Sequence, residues 1–376
     1  MNQILPVIFM FPGQGSQYYH MGKELYQRDP VFKKSLEQLD NIAGRLTGRS
    51  ILERMYDEEK KPGDNFDCLS ITHPAIFMVE YALAQSILHM GVEPAYVIGT
   101  SLGELTAAAV SRVMTAEEAL EMIVRQAEMI ESFCRQHQGG GGMMTILHDS
   151  ALYHEQPLLR ENTELAAVNY PGHFVISAKK EILKEIEYLL KKKNIAFHLL
   201  PVSFAFHSRW VDAAGYAYCD YLKKKHFQKP RLPLISCVSG RVMEEIPTDY
   251  FWQVVRQPVL FPKALENLQT KEDYIYLDLG PSATLANFAK NNLKETTKAI
   301  CFSIMTPYES DLKKIDQFKE YFSKLQPFQI KKEKGKMKAY MFPGQGSQQK
   351  GMGEDLFSEF GEFVQKTDEI LGYSIK

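Results

Sequence analysis

The fold is decided by one ten-residue stretch, Ala95-Tyr96-Val97-Ile98-Gly99-Thr100-Ser101-Leu102-Gly103-Glu104. It opens as an apolar run typical of a buried strand, passes through the pattern G-x-S-x-G, and continues into helix-forming residues at 105–110. Strand, tight turn and helix together predict a nucleophile elbow with Ser101 at its tip. The two glycines of the pattern allow a close backbone approach that a Cβ would obstruct. The alternative is a serine in a plain glycine-bounded turn, because a five-residue pattern is short.

The helix that follows the elbow also predicts the electrostatics of the site. The backbone amide of Leu102 would point at an oxyanion close to Ser101, and the positive end of the helix would favour that negative charge. A serine hydroxyl is a weak nucleophile until a neighbouring base accepts its proton. The elbow therefore requires a base from elsewhere in the chain.

Length and composition limit the remaining possibilities. The chain has 376 residues, of which 45% are hydrophobic, so it can form one large domain with an insert or about two domains. A net charge of −2 does not indicate a nucleic-acid or membrane-surface partner. Five scattered cysteines without a C-x-x-C pattern are typical of reduced thiols. With no leader peptide and no membrane span in the sequence, we predict a cytoplasmic protein.

Two further segments carry candidate site residues. A strand-like run at Val7–Phe11 leads into Pro12-Gly13-Gln14-Gly15-Ser16-Gln17, which lacks both the third glycine of a dinucleotide loop and the lysine of a P-loop. The second segment is Phe204-Ala205-Phe206-His207-Ser208-Arg209. Taken alone, the first segment could be a plain turn and His207 a buried structural histidine.

The order of elements predicts an α/β fold. Strands and helices alternate over residues 1–137 and 205–330, as in a domain with a mainly parallel sheet. The glycine run at 138–142 marks a boundary. Residues 138–204 then read as a small α+β insert of the split-βαβ type, with strands at 143–147, 165–168, 173–177 and 196–202 and a helix at 179–193.

A repeat begins after a charged linker at 331–336. Residues 339–348 restate residues 8–17 almost letter for letter. We therefore predict that 337–376 is the truncated start of a second, similar domain. A strand, loop and helix cannot bury their apolar face alone, so this piece should be disordered, or docked on the first domain or on a neighbouring chain.

Three motifs now coincide: Phe-Pro-Gly-Gln-Gly-Ser-Gln near the start, G-x-S-x-G-E around Ser101, and Ala-Phe-His-Ser around His207. In this order they resemble the malonyl-CoA:acyl-carrier-protein acyltransferase family, from residue 4 to about 325 and again from 337. The tandem arrangement is similar to the free-standing acyltransferases that act in trans on polyketide synthases without built-in ones. The resemblance implies an α/β-hydrolase-like core with a ferredoxin-like insert.

The resemblance also implies roles for single residues. Ser101 would be the nucleophile and His207 its general base, as a Ser-His dyad, and the amides of Leu102 and Gln14 would form the oxyanion hole. The family orients its histidine with a backbone carbonyl, at a position that matches Val254 here. No metal or resident cofactor is implied, because the acyl group arrives on the phosphopantetheine of an acyl carrier protein or on coenzyme A. The implied partners are carrier domains of a polyketide synthase and a second acyltransferase domain in the same polypeptide.

The sequence departs from the family at the acyl pocket. Malonyl-specific members carry an arginine that clamps the malonyl carboxylate, and a gap-free count from Ser101 puts Gln126 at that place. Its neighbour Arg125 lies about 100° round the helix. Thr100 stands where the family usually has histidine, and His73 where it usually has glutamine. We place these four residues and Phe206 in the predicted substrate pocket.

These residues bear on four possible functions. The first is a hydrolase that removes acetyl and other short uncharged acyl groups from carrier proteins, a proofreading step that clears stalled synthases in antibiotic biosynthesis. The alternative is a malonyl transferase that uses Arg125. A catalytically silent docking domain conflicts with the intact set of Ser101, His207 and Gln14. A general lipase would need an acidic residue in a recognisable motif between serine and histidine, and the sequence has none.

Overall fold

The computed structural model describes residues 5–136, 141–269, 273–294 and 296–325, together with isolated helical positions at 361, 364, 365, 368 and 369. The chain divides into two compact units, Met1–Pro327 and Phe328–Lys376. Every element below belongs to the first unit. The predicted linker at 331–336 and the predicted second copy at 337–376 lie outside the described residues, apart from those isolated positions.

The described residues form the following strands, in chain order: β1 Val7–Phe11, β2 Pro94–Gly99, β3 Gly141–Ile146, β4 Glu164–Tyr170, β5 His173–Lys179, β6 Phe197–Leu199, β7 Leu234–Ile235, β8 Val242–Met243, β9 Val259–Leu260, β10 Ile275–Asp278 and β11 Ile300–Ser303. The larger sheet has the order β11-β10-β1-β2-β7-β8 and is parallel except for the β7–β8 pair. Strand β1 is buried along its whole length, as expected for a parallel sheet covered on both faces.

Helices pack on this sheet and, in the insert, on the smaller sheet described below. They are α1 Lys23–Arg28, α2 Pro30–Thr47, α3 Ile51–Met55, α4 Leu69–His89, α5 Gly103–Val110, α6 Ala116–Gln136, α7 Ala151–Glu155, α8 Pro157–Asn162, α9 Lys180–Lys192, α10 Asp212–Leu222, α11 Tyr250–Arg256, α12 Phe261–Gln269, α13 Thr284–Asn292 and α14 Asp311–Leu325. Helix α6 packs against α2, α4, α5 and α10. None of the described helices has both the length and the apolar character that a membrane span requires.

The smaller sheet confirms the predicted insert. Its order is β6-β3-β5-β4-β9, and β3 to β6 follow one another with the β-α-β-β-α-β connectivity of a ferredoxin-like unit. It has its own apolar cluster, which includes Ile146, Phe174 and Ile186. The sequence did not predict β9, which comes from the chain after the insert and pairs parallel with β4. The insert sheet is therefore completed by the core, close to the position of Gln257.

Two helical stretches are divided, one by a glycine and one by a proline. The stretch at 31–55 breaks at Gly48, which has a φ of 69° and ends α2. The stretch at 252–268 breaks at Pro258, because proline cannot donate the hydrogen bond that would continue α11. Helix α6 begins with a capping box, in which Thr115 Oγ1 accepts from the Glu118 amide at 3.1 Å and a Glu118 carboxylate oxygen accepts from the Thr115 amide at 2.7 Å.

Candidate active site

The tip of the elbow is a strained turn between β2 and α5. Ser101 has a φ of 53°, a region that non-glycine residues rarely adopt. Glycine is required on both sides of Ser101, because a Cβ at either position would come too close to neighbouring backbone atoms. A Cβ on Gly99 would lie 2.3 Å from the Glu104 amide nitrogen, and one on Gly103 would lie 2.0 Å from the Phe11 carbonyl oxygen. The predicted close backbone approach at the elbow is confirmed.

A buried carboxyl group fixes the first turn of α5. Glu104 accepts hydrogen bonds from the Cys237 amide and the Tyr250 hydroxyl, each at 2.7 Å. Burial raises the pKa of Glu104 to about 8, while these two hydrogen bonds act in the opposite direction. The side chain thus ties the helix behind Ser101 to the segment that follows β7 and to the first residue of α11.

The loop with Gln14 lies directly beside the elbow because β1 and β2 are neighbours in the sheet. The Thr100 amide donates to the Phe11 carbonyl at 2.9 Å, and a Cβ on Gly13 would lie 2.9 Å from the Ser101 Cβ. Within the described residues, the backbone amides of Gln14 and Leu102 donate to no other protein group. Both residues line the cavity beside Ser101, so their amides remain the candidates for the predicted oxyanion hole.

His207 completes the site from the opposite side. The Ser101 Oγ lies 2.9 Å from His207 Nε2, and His207 Nδ1 lies 2.8 Å from the Gln257 carbonyl oxygen. Because a carbonyl can only accept, Nδ1 carries the proton and Nε2 accepts from the serine hydroxyl. His207 is 3% exposed, and burial lowers its pKa to about 4, against a smaller opposing effect of the Gln257 hydrogen bond. The imidazole is therefore neutral near pH 7 and able to accept a proton.

The predicted carbonyl at Val254 was wrong by three positions. Helix α11 runs to Arg256, and Gln257 follows in an extended conformation, with φ −87° and ψ 155°. In this conformation the Gln257 carbonyl is directed at the imidazole of His207. Val254 contributes instead to the wall of the cavity.

A cavity of about 420 Å³ opens over Ser101 between the core and the insert. The core contributes Ser101, His207 and Gln126, and the insert contributes apolar side chains that include Met143 and Val175. Among the described residues, no Lys, Arg, Asp or Glu lines this cavity. A negatively charged acyl group would therefore lose its hydration without gaining a lysine or arginine partner.

Gln126 and Arg125 separate as helix geometry predicts. Gln126 is 3% exposed, lines the cavity, and donates from Nε2 to the Tyr218 hydroxyl at 3.2 Å. The Arg125 side chain is 42% exposed, pairs with Glu128 at 2.8 Å and does not line the cavity. The placement of Arg125 in the substrate pocket is wrong, because it lies on another face of α6.

The other three predicted pocket residues do line the cavity: Thr100, His73 and Phe206. The His73 Nε2 lies 3.2 Å from the Gln14 side-chain oxygen, and the rings of His73 and Phe206 are 5.7 Å apart. Burial lowers the pKa of His73 to about 3, so this ring is also neutral. Its neutral Nε2–H is therefore the donor to Gln14 and helps to hold the loop beside the elbow.

Sequence reasoning missed the polar wall on the insert side. Asn169, His173 and Thr145 of the insert line the cavity, together with Thr284 at the start of α13 in the core. The Asn169 side-chain amide donates to His173 Nδ1 at 3.1 Å, and burial lowers the His173 pKa. No motif marks these residues, and only the pairing of β4 with β5 brings the first two together. Within the described ranges, no three His, Cys, Asp or Glu side chains cluster in a way that could hold a metal ion.

The chain is similar to several known proteins. The family model described as "Acyl transferase domain" matches residues 8–330. The chain is 43% identical to the polyketide biosynthesis acyltransferase homolog PksD of Bacillus subtilis, over 84% of this chain and 96% of PksD. It is 44% identical to the homolog BaeD of Bacillus velezensis, over 85% of this chain and 97% of BaeD.

A solved structure shows the same architecture. The acyltransferase domain from the second module of the salinomycin polyketide synthase superposes with a TM-score of 0.73 at 25% identity, covering 84% of this chain and 72% of that one. This likeness confirms the predicted α/β fold.

Proposed function

Because the chain belongs to the acyl transferase domain family, we propose that it hydrolyses acyl groups from acyl carrier proteins through an ester on Ser101. The chain is a serine-dependent acyltransferase of polyketide biosynthesis. The proposal adds two points to this statement: the acyl groups are uncharged, and water is the acceptor. We further propose that the substrates are bound to phosphopantetheine. A second acyltransferase domain in the same polypeptide is also part of the proposal, because residues 339–348 repeat residues 8–17.

The reaction would proceed in two balanced steps. His207 Nε2 takes the Ser101 proton as Oγ attacks the thioester carbonyl, and the oxyanion faces the Gln14 and Leu102 amides. The carbon–sulfur bond then breaks, and the carrier thiol leaves with the proton from His207. In the second step His207 takes a proton from water, whose oxygen attacks the ester. A free carboxylic acid leaves, and the proton returns to Ser101.

The absence of lysine and arginine from the described lining of the cavity carries this proposal. An arginine that pairs a malonyl carboxylate in two hydrogen bonds contributes about 2–4 kcal/mol. Gln126 occupies the corresponding place, and it already donates to Tyr218. We expect malonyl groups to react roughly 10²-fold more slowly than acetyl groups, since each 1.4 kcal/mol is a factor of ten. Loading of malonyl through Arg125 has no support in the geometry, because that side chain pairs with Glu128.

The test uses carrier protein loaded with acetyl or malonyl phosphopantetheine and follows both proteins by time-resolved intact-mass spectrometry. We expect loss of acetyl from the carrier, a transient acetyl adduct on Ser101, and free acetate. Gln126→Arg should raise malonyl labelling of Ser101, whereas the neutral control Gln126→Met should not. Arg125→Ala should leave acetyl hydrolysis unchanged. Efficient malonyl transfer from coenzyme A to the carrier by the unaltered protein would overturn the proposal.

A further inference from the structure

His207 lies in a strained backbone conformation that its surroundings must hold. Its φ is 57°, in the left-handed region that a side chain disfavours. The His207 amide donates to the Val255 carbonyl at 2.9 Å, and Nδ1 donates to the Gln257 carbonyl at 2.8 Å. The general base is therefore fixed between its own segment and residues 255–257. A shift of either segment changes the distance from Nε2 to Ser101.

One carboxylate of the insert holds both segments. The Oε1 of Glu164, the first residue of β4, accepts from the Arg209 amide at 3.1 Å, two residues after His207. The Oε2 of Glu164 accepts from Arg256 Nη1 at 2.9 Å, and Arg256 immediately precedes Gln257. Arg256 also donates from Nε to Asp212 at 2.6 Å, which anchors it on α10.

We propose that Glu164 is a positioning residue for the general base. By holding both segments, Glu164 fixes the position of His207 relative to the Gln257 carbonyl that orients the imidazole. The side chains of Glu164 and Arg256 are 23% and 24% exposed, so this pair is better shielded than an ordinary surface ion pair. The Arg209 side chain approaches the same carboxylate at 3.5 Å but is 53% exposed and adds less. The insert thus acts on proton transfer in addition to lining the cavity.

A second contact from the insert acts on the same segment. The Ser177 hydroxyl, on β5, donates to the carbonyl of Phe206, the residue before His207. The chain is therefore held from the insert on both sides of the general base, by Ser177 before it and by Glu164 after it. This arrangement explains why a single charge outside the cavity should affect the chemistry at Ser101.

The inference rests on the acyl-Ser101 chemistry of the proposed function but not on which acceptor resolves the ester. The test therefore measures acylation alone, as the burst of p-nitrophenolate that p-nitrophenyl acetate releases from the full chain. Glu164→Gln removes the charge and keeps the size. Its matched control is Asp212→Asn, which removes the other carboxylate partner of Arg256 but leaves the contact with Arg209 intact.

We expect Glu164→Gln to lower the saturating acylation rate about tenfold. The half-saturating ester concentration should change less than about twofold, because a small displacement of a catalytic group acts mainly on the rate. Asp212→Asn should lower the rate less than about threefold. In a His207→Ala background, Glu164→Gln should change the residual rate by less than about twofold, since no imidazole is left to position. Glu164→Asp, a milder change that keeps the charge, should show an intermediate loss.

Three outcomes would contradict these proposals in distinguishable ways. Acylation at the unaltered rate in folded Glu164→Gln overturns the positioning role and leaves the serine chemistry intact. An equal loss with and without His207 also overturns it, because the effect would then be a general loss of structure. If the unaltered protein gives no burst beyond that of Ser101→Ala, the acyl-serine chemistry of the proposed function fails instead. If Glu164→Gln does not fold, Glu164→Asp decides the question by the same criteria.

Discussion

The contact between the elbow and the end of β1 leads to a sharp prediction for Gly103→Ala. The new Cβ would lie 2.0 Å from the Phe11 carbonyl oxygen and 2.5 Å from the Pro12 carbonyl oxygen. All of these neighbours are backbone atoms, so no side chain can rotate away. Real Cβ contacts are essentially never shorter than 3.0 Å, so the elbow and the Gln14 loop must separate by about 1 Å.

The size of the effect follows from that displacement. Forcing one extra methyl group into a packed interior costs about 1–3 kcal/mol of folding free energy. A displacement of about 1 Å within a catalytic arrangement can cost about 10²-fold in rate. Ser101 would move relative to the Gln14 amide. It would also move relative to His207, because the segment that carries His207 is separate from both the elbow and the Gln14 loop. We therefore expect a moderate loss of stability together with a much larger loss of acylation.

Thermal unfolding and the p-nitrophenyl acetate burst measure the two effects on the same samples. The control is Gly44→Ala in helix α2, where the nearest atom to the new Cβ is 3.9 Å away. This substitution should stabilise the protein by about 0.5–1 kcal/mol and leave acylation unchanged. If Gly103→Ala were acylated at the unaltered rate, acylation would not depend on the position of the Gln14 loop. The assignment of the Gln14 amide to the oxyanion hole would then be refuted.

Two further predictions concern the dyad. Ser101→Ala and His207→Ala should each lower the turnover of acetyl-carrier protein by about 10³-fold or more, and the double variant should be no slower, because nucleophile and base act as one unit; additive losses in a steady-state assay would argue against a Ser-His dyad. A base works only when neutral, so with the His207 pKa lowered to about 4 the acylation rate should persist down to about pH 5 and fall as the pH falls through about 4. An ordinary histidine would lose most of its activity below its usual pKa of about 6.5, and an acid limb there, in a pH profile of the burst rate, would show that burial does not act on His207 as described.

Much of the architecture could be predicted because it depends on local sequence patterns, such as apolar runs and glycine positions. The apolar run at Val7–Phe11 and the run before Gly99 indicate buried strands, and both glycines of the elbow correspond to contacts that exclude a Cβ. The short strands β8 and β9 were not predicted, because two residues carry no periodicity. Their pairing depends on where the rest of the chain has already placed β7 and β4.

The site shows the same division. Ser101 and His207 are recognisable because their chemistry needs particular side chains in particular motifs. The carbonyl that orients His207 belongs to Gln257 and not to Val254, and a main-chain acceptor leaves no residue type by which to find it. Glu164 was also missed, because its effect depends on two partners distant in sequence, Arg209 and Arg256.

The orientation of His207 by a main-chain oxygen has a consequence for how this protein tolerates mutation. Every amino acid at position 257 presents the same carbonyl, so replacing that side chain leaves the acceptor in place. What directs the carbonyl is the extended conformation of Gln257, and the ring of Pro258 restricts the preceding residue to such conformations. An alanine scan would therefore pass over position 257 and detect the orienting group at position 258, one residue away from the atom that performs the task.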